Sequence, residues 1–192
     1  MLNIDATYGH TAALGHLARE FAPGRMYGLK GANGSGKSTL LATLGGELAT
    51  LEGTVRIDGE EVGTRASASA VLTVADPIFL PDLTVGEHID LIARTTGVDF
   101  AEIIELWALE ELLPHPATRL SAGQRQRVFL AIQLYQPAQV LLIDEPERHL
   151  DHTWTAFLAE ELRHLAAEGR CVVLASHSPA IFAACDEVVE IS

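Results

Sequence analysis

The eight residues from Gly31 to Ser38 constrain the fold of this chain more than any other segment. Their sequence, GANGSGKS, fits the pattern G-x-x-x-x-G-K-[ST]. Residues 25–30 before them have the pattern of a short strand, and residues 38–44 after them have that of a helix. In such a strand–loop–helix unit, glycines let backbone N–H groups wrap phosphate oxygens, and the lysine reaches the same oxygens. The sequence therefore predicts an α/β protein with a phosphate site.

The last third of the chain alternates between strand and helix patterns. We predict strands at 140–143, 171–175 and 187–191, separated by a helix at 151–168 and a short helix from Ser178. Such alternation implies a mainly parallel sheet with helices on its faces.

Residues 1–75 carry a different pattern, in which short β-like segments follow one another. We predict strands at 2–6, 17–21, 26–29, 54–57 and 71–74. This part is therefore a strand-rich lobe, interrupted by the helix that follows the glycine-rich loop.

Helix start signals dominate from about residue 84 to residue 135. A Thr, Asp or Ser precedes a Glu or Gln by three residues at three places: Thr84 and Glu87, Asp99 and Glu102, Ser121 and Gln124. This spacing is typical of a capping box at the start of a helix. We expect a helical subdomain over about 78–136, inserted into a single domain of residues 1–192.

Composition and charge narrow the classes of function. A chain of 192 residues, 48% of them hydrophobic, is the size of one domain. Its formal charge of −13 argues against a nucleic-acid partner, which would require a stripe of Lys and Arg. The apolar runs are of strand length and the N-terminus lacks a basic patch, so we expect neither a membrane span nor a secretory signal. We therefore expect a cytoplasmic protein.

The two cysteines show no metal-binding or redox spacing. Cys171 falls in a predicted buried strand and Cys185 near a helix end, without a C-x-x-C pair. We interpret them as small buried hydrophobes rather than as a disulfide or metal site.

Two further segments contain residues suited to phosphate chemistry. Asp144 and Glu145 end the apolar strand at 140–143, at the edge where α/β sheets place ligand sites; the alternative is a pair of solvated acids. Ser121 and Gly123 begin a predicted helix, whose free N–H groups and positive dipole end attract anions, although an ordinary N-cap has the same composition.

In this order, the segments at 31–38, 120–124 (LSAGQ) and 141–146 (LLIDEP) resemble those of the ATP-binding cassette (ABC) ATPase family. The resemblance covers essentially the whole chain. It implies the P-loop NTPase fold of ABC type: a mainly parallel sheet core, an antiparallel β lobe and a helical insertion. It also implies ATP and Mg²⁺ as ligands.

The resemblance assigns roles to particular residues. It implies that ATP is bound by Tyr8, Gly31, Asn33, Gly34, Ser35, Gly36, Lys37, Ser38, Thr39, Ser121, Gly123, Gln124 and Asp151. It implies that Mg²⁺ is held by Ser38 and Asp144. The implied catalytic residues are Lys37, which stabilises charge, Glu145, which polarises the attacking water, and His177, which contacts the γ-phosphate.

Several of these assignments have a plainer alternative. Tyr8 matches the aromatic residue that stacks on adenine, but it also fits a packing role in the first strand. His177 alone after a strand would be structural, and its position after the acidic strand favours the phosphate role. Asp151 matches the D-loop that crosses the dimer interface and also suits an N-cap, and both roles are compatible. Ala122 stands where the family usually has glycine.

Asp76 is the clearest departure from the family pattern. The family normally has glutamine here, whose amide senses Mg²⁺ and water and whose loop touches the membrane partner. An aspartate is able to ligate Mg²⁺, but it adds negative charge near the γ-phosphate and cannot donate a hydrogen bond while ionised. We expect Asp76 to be a third metal ligand or a source of repulsion.

The resemblance also implies partners. Two ABC domains, as a homodimer or a related heterodimer, sandwich two ATP molecules head to tail. The leading hypothesis is an ATPase subunit of a membrane transporter, held at the cytoplasmic face by a permease that is a separate chain. The alternatives are a soluble ABC ATPase of an assembly process and a weakly hydrolysing regulatory subunit.

Overall fold

A computed structural model describes residues 1–191 and divides the chain into two units. The sheet unit comprises Met1–Ala75, Ala138–Glu147 and the described residues from His152 onward. The helical unit comprises Asp76–Pro137 and Arg148–Asp151.

The sheet unit contains nine strands and three helices among the described residues. The strands are β1 (Leu2–Gly9), β2 (Ala13–Phe21), β3 (Arg25–Lys30), β4 (Glu52–Ile57), β5 (Glu60–Glu61), β6 (Val71–Val74), β7 (Val140–Asp144), β8 (Cys171–Ala175) and β9 (Glu187–Glu190). The helices are α1 (Lys37–Leu44), α5 (His152–Ala167) and α6 (Pro179–Ala184).

Four strands form an antiparallel sheet in the order β2-β1-β4-β5. Burial alternates along β1, and its inward side chains, Leu2, Ile4 and Ala6, are at most 2% exposed. This period of two is expected for a sheet with one buried face. The strand-rich lobe predicted for the N-terminal part is therefore this sheet, except that β3 and β6 belong elsewhere.

The other five strands form a parallel sheet in the order β6-β7-β8-β3-β9. All residues of β8 are buried, as are all residues of β7 except Asp144. Continuous apolar strands of this kind are typical of a parallel sheet covered on both faces. Since β7, β8 and β3 are neighbours, the segments after their carboxyl ends emerge at one edge of the sheet.

The helical unit contains α2 (Val85–Thr96), α3 (Ala101–Leu106) and α4 (Ala122–Leu134). Thr84 and Ser121 form capping boxes with Glu87 and Gln124, which confirms two of the three predicted helix starts.

The third predicted helix start was wrong by one residue. Helix α3 has Phe100 as its N-cap, and Asp99 instead accepts a hydrogen bond from the backbone N of Ala101 at 3.0 Å. An aspartate side chain that bonds its own backbone two residues on forms a turn before the helix, which displaces the cap.

A buried tryptophan anchors the helical unit. Trp107 is 0% exposed, and its indole Nε1 donates a hydrogen bond to the hydroxyl of Tyr135 at 2.8 Å. The indole thus buries its large apolar surface and satisfies its one donor.

Both cysteines are free. Cys171 is buried and Cys185 half-buried, and burial raises the pKa of these thiols to about 12 and about 11. The interpretation as a small buried hydrophobe is thus confirmed for Cys171. Among residues 1–191, no helix combines the length and apolar composition needed to cross a membrane.

Candidate phosphate-binding site

The glycine-rich loop at 31–38 joins β3 to α1 and turns sharply at its glycines. Gly34 and Gly36 have φ values of 82° and 91°, a region that side chains with a Cβ rarely adopt. Gly36 is the N-cap of α1 and has no side-chain cap, so the first N–H groups of the helix are left for another acceptor. The fold thus builds an anion site from backbone groups.

Lys37 is held tightly by the same loop. It is only 6% exposed, and its Nζ donates hydrogen bonds to the carbonyl oxygens of Gly31 at 2.9 Å and Ala32 at 3.0 Å. Both of these partners are neutral carbonyl oxygens, so neither contact pairs the ammonium with a carboxylate. Lys37 is therefore suited to attract a polyanion.

An open cavity of about 340 Å³ lies against the loop. Its lining residues are Leu14, Asn33, Gly34, Gly36, Lys37, Ser38, Thr39 and Glu145. The loop residues predicted to bind a nucleotide phosphate thus share one cavity with a predicted catalytic acid. The volume is in the range of small-ligand sites.

Glu145 and His177 face one another beside this cavity. The Nε2 atom of His177 lies 3.3 Å from Oε1 of Glu145, with the histidine side chain 50% exposed and that of Glu145 30% exposed. Glu145 has a φ of 46°, and its backbone N donates to the carbonyl of Ala175 on β8 at 2.9 Å. A non-glycine residue in this backbone region costs free energy, which often marks a functional position.

Ser38 and Asp144 fit a magnesium ion that phosphate oxygens would complete. Among residues 1–191 no group of three or more His, Cys, Asp or Glu side chains could hold a metal by itself. Mg²⁺ commonly takes one or two protein ligands and fills its octahedron with phosphate oxygens and water. One hydroxyl on the loop and one carboxylate at the end of β7 match that donor set.

Tyr8 packs inside the antiparallel lobe. It is 3% exposed, and a Cβ placed on Gly15 or Gly36 would lie 2.6 Å or 3.1 Å from its side chain. Burial also raises the pKa of its hydroxyl. These contacts favour the packing interpretation, and stacking on adenine stays a prediction.

The segment at 120–124 begins α4 in the helical unit. The Ser121 backbone N donates to Gln124 Oε1 at 2.9 Å, and the Gln124 backbone N donates to Ser121 Oγ at 3.2 Å. The backbone of His149 lies so close to residue 123 that glycine is favoured there, because a Cβ at this position would lie 2.8 Å from the carbonyl oxygen of His149. The glycine of this segment therefore lets the 148–151 segment lie against α4.

The two remaining predicted acids also lie in the helical unit. Asp76 is 80% exposed, and its Oδ1 accepts a hydrogen bond from Arg148 Nη1 at 2.8 Å. Asp151 is the second of these acids, and its carboxylate lies near the guanidinium of Arg127. Burial lowers the pKa of Arg127, and the charge of Asp151 partly offsets that lowering. Sequence reasoning missed the Asp76–Arg148 pair, because it depends on two segments 72 residues apart.

Sequence reasoning also missed Glu147. Its Oε1 accepts hydrogen bonds from Ser176 Oγ, His177 N and Ser178 N. The spacing Glu145-x-Glu147 was the available signal, since it puts two acids in the turn after β7.

A phosphate loop after one parallel strand, with acids at the end of another, defines a nucleotide-binding protein of the P-loop class. Comparisons with known proteins identify the branch. A family model described as "ABC transporter" matches residues 14–148. The chain therefore belongs to the ABC transporter family, as the resemblance predicted.

Named relatives agree with this assignment. Nod factor export ATP-binding protein I of Paraburkholderia xenovorans (strain LB400) is 33% identical over 184 residues, 91% of this chain and 60% of that protein. Arabinose import ATP-binding protein AraG of the same organism is 34% identical over 200 residues, 96% of this chain and 39% of that protein. The chain thus spans about half the length of these two relatives.

Solved structures show the same fold. An ATP-binding subunit of an ABC transporter superposes with a TM-score of 0.88 and 25% identity, covering 99% of this chain and 85% of that chain. A bacterial ABC transporter cassette solved as a dimer gives a TM-score of 0.85 at 22% identity, covering 100% and 94%. The predicted fold class is therefore confirmed.

Proposed function

We propose that this chain binds ATP and hydrolyses it as the motor subunit of a membrane transporter whose permease is another chain. The observation that carries the proposal is the cavity in which the phosphate loop and Glu145 meet. The names of the relatives, which are ATP-binding proteins of export and import systems, support it.

The reaction is in-line attack of water on the γ-phosphorus of ATP. A bond forms from the water oxygen to phosphorus, the bond to the β–γ bridging oxygen breaks, and ADP and phosphate are the products. Glu145 accepts the water proton, while Lys37 and the loop N–H groups stabilise charge on the phosphate oxygens. His177, 3.3 Å from Glu145, is placed to contact the γ-phosphate.

Magnesium fits the donor set of Ser38 and Asp144. These two residues would hold the ion, which would supply positive charge to offset that of the phosphate oxygens. Asp76 as a third ligand is a separate hypothesis.

A second copy completes the site in this proposal. Ser121, Gly123 and Asp151 of one copy would meet the nucleotide held by the other, in an ATP sandwich. The known dimer of a cassette with the same fold supports this arrangement.

Steady-state ATPase activity of Lys37→Ala tests the proposal. Removal of the ammonium should lower kcat/KM on the order of 100-fold, the usual loss for one preorganised charge-stabilising group. Lys30→Ala is the matched control, because Lys30 is the other lysine of the chain and forms an exposed ion pair with Glu190 at 3.2 Å. Equal activity of the Lys37→Ala variant and the wild type would refute the assignment of the phosphate site.

A further inference from the structure

The carboxylate of Glu147 forms the centre of a hydrogen-bond cluster. Its Oε1 accepts from Ser176 Oγ at 2.6 Å, from His177 N at 2.8 Å and from Ser178 N at 3.2 Å. Ser178 N also donates to Ser176 Oγ at 2.9 Å, so two of the three donors are linked to each other. One oxygen atom thus ties together three consecutive residues that follow β8.

The hydrogen bonds to the Glu147 carboxylate are stronger than those between neutral groups. Hydrogen bonds to an ionised acceptor are shorter and roughly twice as strong as neutral ones. Ser176 is only 2% exposed, so water competes little for its hydroxyl. Because the backbone N of His177 is one of the donors, the carboxylate fixes the main chain from which the imidazole projects.

The second oxygen of Glu147 indicates that the residue is more than a packing element. Oε2 is buried and has no hydrogen-bond partner within residues 1–191. A buried acceptor without a partner is unfavourable, and such groups in folded proteins call for an explanation. The three hydrogen bonds to Oε1 offset this cost.

The imidazole is held from the other side by Glu145. The Nε2 atom lies 3.3 Å from Glu145 Oε1, while the backbone N lies 2.8 Å from Glu147 Oε1. Two glutamates of the turn after β7 therefore act on one histidine, one at its ring and one at its main chain. Glu145 also lines the phosphate cavity, whereas Glu147 does not.

We infer that Glu147 is the positioning residue of His177. It holds the 176–178 segment so that the imidazole meets Glu145 and the γ-phosphate in the geometry of the transition state. This inference rests on the proposed function, since it assigns Glu147 a role in ATP hydrolysis. Glu147 itself does not touch the nucleotide.

Such a role affects turnover more than substrate affinity. Binding of ATP in the ground state depends mainly on the phosphate loop. The hydrogen-bond partners of Glu147 lie instead in the 176–178 segment. Glu147→Ala should therefore lower kcat at least about 10-fold and change KM for ATP less than about threefold, as expected for an interaction realised in the transition state. Glu147→Gln keeps an acceptor oxygen of the same reach and should lose only part of that rate.

A double-variant cycle separates positioning from a general structural effect. In a His177→Ala background, the further change Glu147→Ala should lower kcat less than about twofold, because the group it positions is already absent. The control is Glu52→Ala, an exposed glutamate on β4, which should leave kcat unchanged. If the losses from His177→Ala and Glu147→Ala multiply, or if Glu147→Ala leaves kcat unchanged, the inference is wrong.

A second readout does not depend on hydrolysis. In ¹H–¹⁵N spectra of the ATP-free protein, the His177 amide should shift upfield in the isosteric Glu147→Gln variant, because the charged acceptor is lost. An unshifted His177 amide would overturn the inference. If the wild type binds ATP without hydrolysing it, the proposed function fails, and the amide shift still decides the role of Glu147.

Discussion

Lys37 stabilises the glycine-rich loop, in addition to the phosphate-binding role that its sequence motif predicts. Its ammonium bridges the carbonyls of Gly31 and Ala32, so it fixes the loop whose N–H groups are to hold phosphate. The glycine-rich motif predicts Lys37 because its eight positions are consecutive in the sequence and the seventh position allows only lysine. The same is true of Gly36, whose left-handed backbone favours glycine.

Glu147 and Arg148 show what a sequence cannot reveal at this scale. Their partners, the 176–178 segment and Asp76, lie 29 or more residues away along the chain. No local pattern encodes these pairs, since they depend on how strands are ordered and where loops return. Even the burial of Tyr8 against Gly15 depends on the pairing of β1 with β2.

The Asp76–Arg148 pair gives a prediction about turnover. On the hypothesis that Asp76 repels the γ-phosphate, Asp76→Gln should give equal or higher basal ATPase activity, because the substitution removes the negative charge. The effect should be at most about fivefold, since exposed ion pairs contribute up to ~1 kcal/mol. The measurement is the ATPase rate as a function of Mg²⁺ concentration.

Arg148→Gln is the informative companion of Asp76→Gln. It leaves the Asp76 carboxylate without this ion-pair partner, so its rate should fall below that of the wild type, and adding Asp76→Gln should restore it. A large loss of rate in Asp76→Gln, with a higher Mg²⁺ requirement, would instead support the metal-ligand hypothesis.

Helices and strands were predicted well where the residue pattern is long or carries a cap. The capping boxes of α2 and α4 are both present, and the apolar strands β7 and β8 lie where their runs indicated. The start of α3 was displaced because Asp99 bonds its own backbone. The two-residue strand β5 is too short to leave a pattern.

The capping box of α2 gives a prediction about stability. Thr84→Ala removes the acceptor for Glu87 N and should lower the free energy of unfolding by about 1 kcal/mol. Thr95→Ala in the same helix is the control, because Thr95 only bonds back to carbonyls and alanine is a better helix former. Urea denaturation of the three proteins provides the comparison.

The sign of the pH dependence follows from Glu87. Hydrogen bonds from Thr84 lower the pKa of the Glu87 carboxyl in the folded state. The stabilisation that the ionised Glu87 carboxylate gives the folded protein is therefore present above the pKa of Glu87 in the unfolded state. It is lost as pH falls through the pKa of Glu87 in the folded state. Alanine keeps the backbone N–H of residue 84, which is the larger cause of the lowered pKa, and removes only the hydrogen bond from the hydroxyl. The difference in the free energy of unfolding between Thr84→Ala and the wild type should therefore shrink slightly in acid, and a difference that grows there would contradict this account.

At the scale of the molecule, alternation of strands and helices correctly predicted a parallel sheet, but not its strand order. The order β6-β7-β8-β3-β9 places β3 between two strands from the other end of the sequence. The residue pattern along the chain predicts which segments are strands, whereas the strand order depends on pairings between segments far apart in the sequence. The position of Glu145 at the end of a predicted strand indicated a ligand site, and the family resemblance predicted that it would share this site with Lys37.

Glu145→Gln gives the prediction for the assembled protein. The variant should bind ATP, fail to hydrolyse it and accumulate as a dimer, because the proposed base is lost while the binding surfaces remain. Multi-angle light scattering with saturating ATP and Mg²⁺ measures this, and the Lys37→Ala/Glu145→Gln double variant should stay monomeric. A Glu145→Gln protein that remains a monomer at saturating ATP would count against the sandwich.

The position of β3 between β8 and β9 has a consequence for folding during translation. Its two neighbours, β8 and β9, are translated about 140 residues or more after it. Until then the backbone groups of β3 lack their sheet partners, and apolar residues such as Met26 and Leu29, both 0% exposed in the finished fold, have no core to enter. A nascent chain on the ribosome therefore exposes β3 until β8 and β9 have been translated, and this topology favours delayed strand pairing and capture by chaperones.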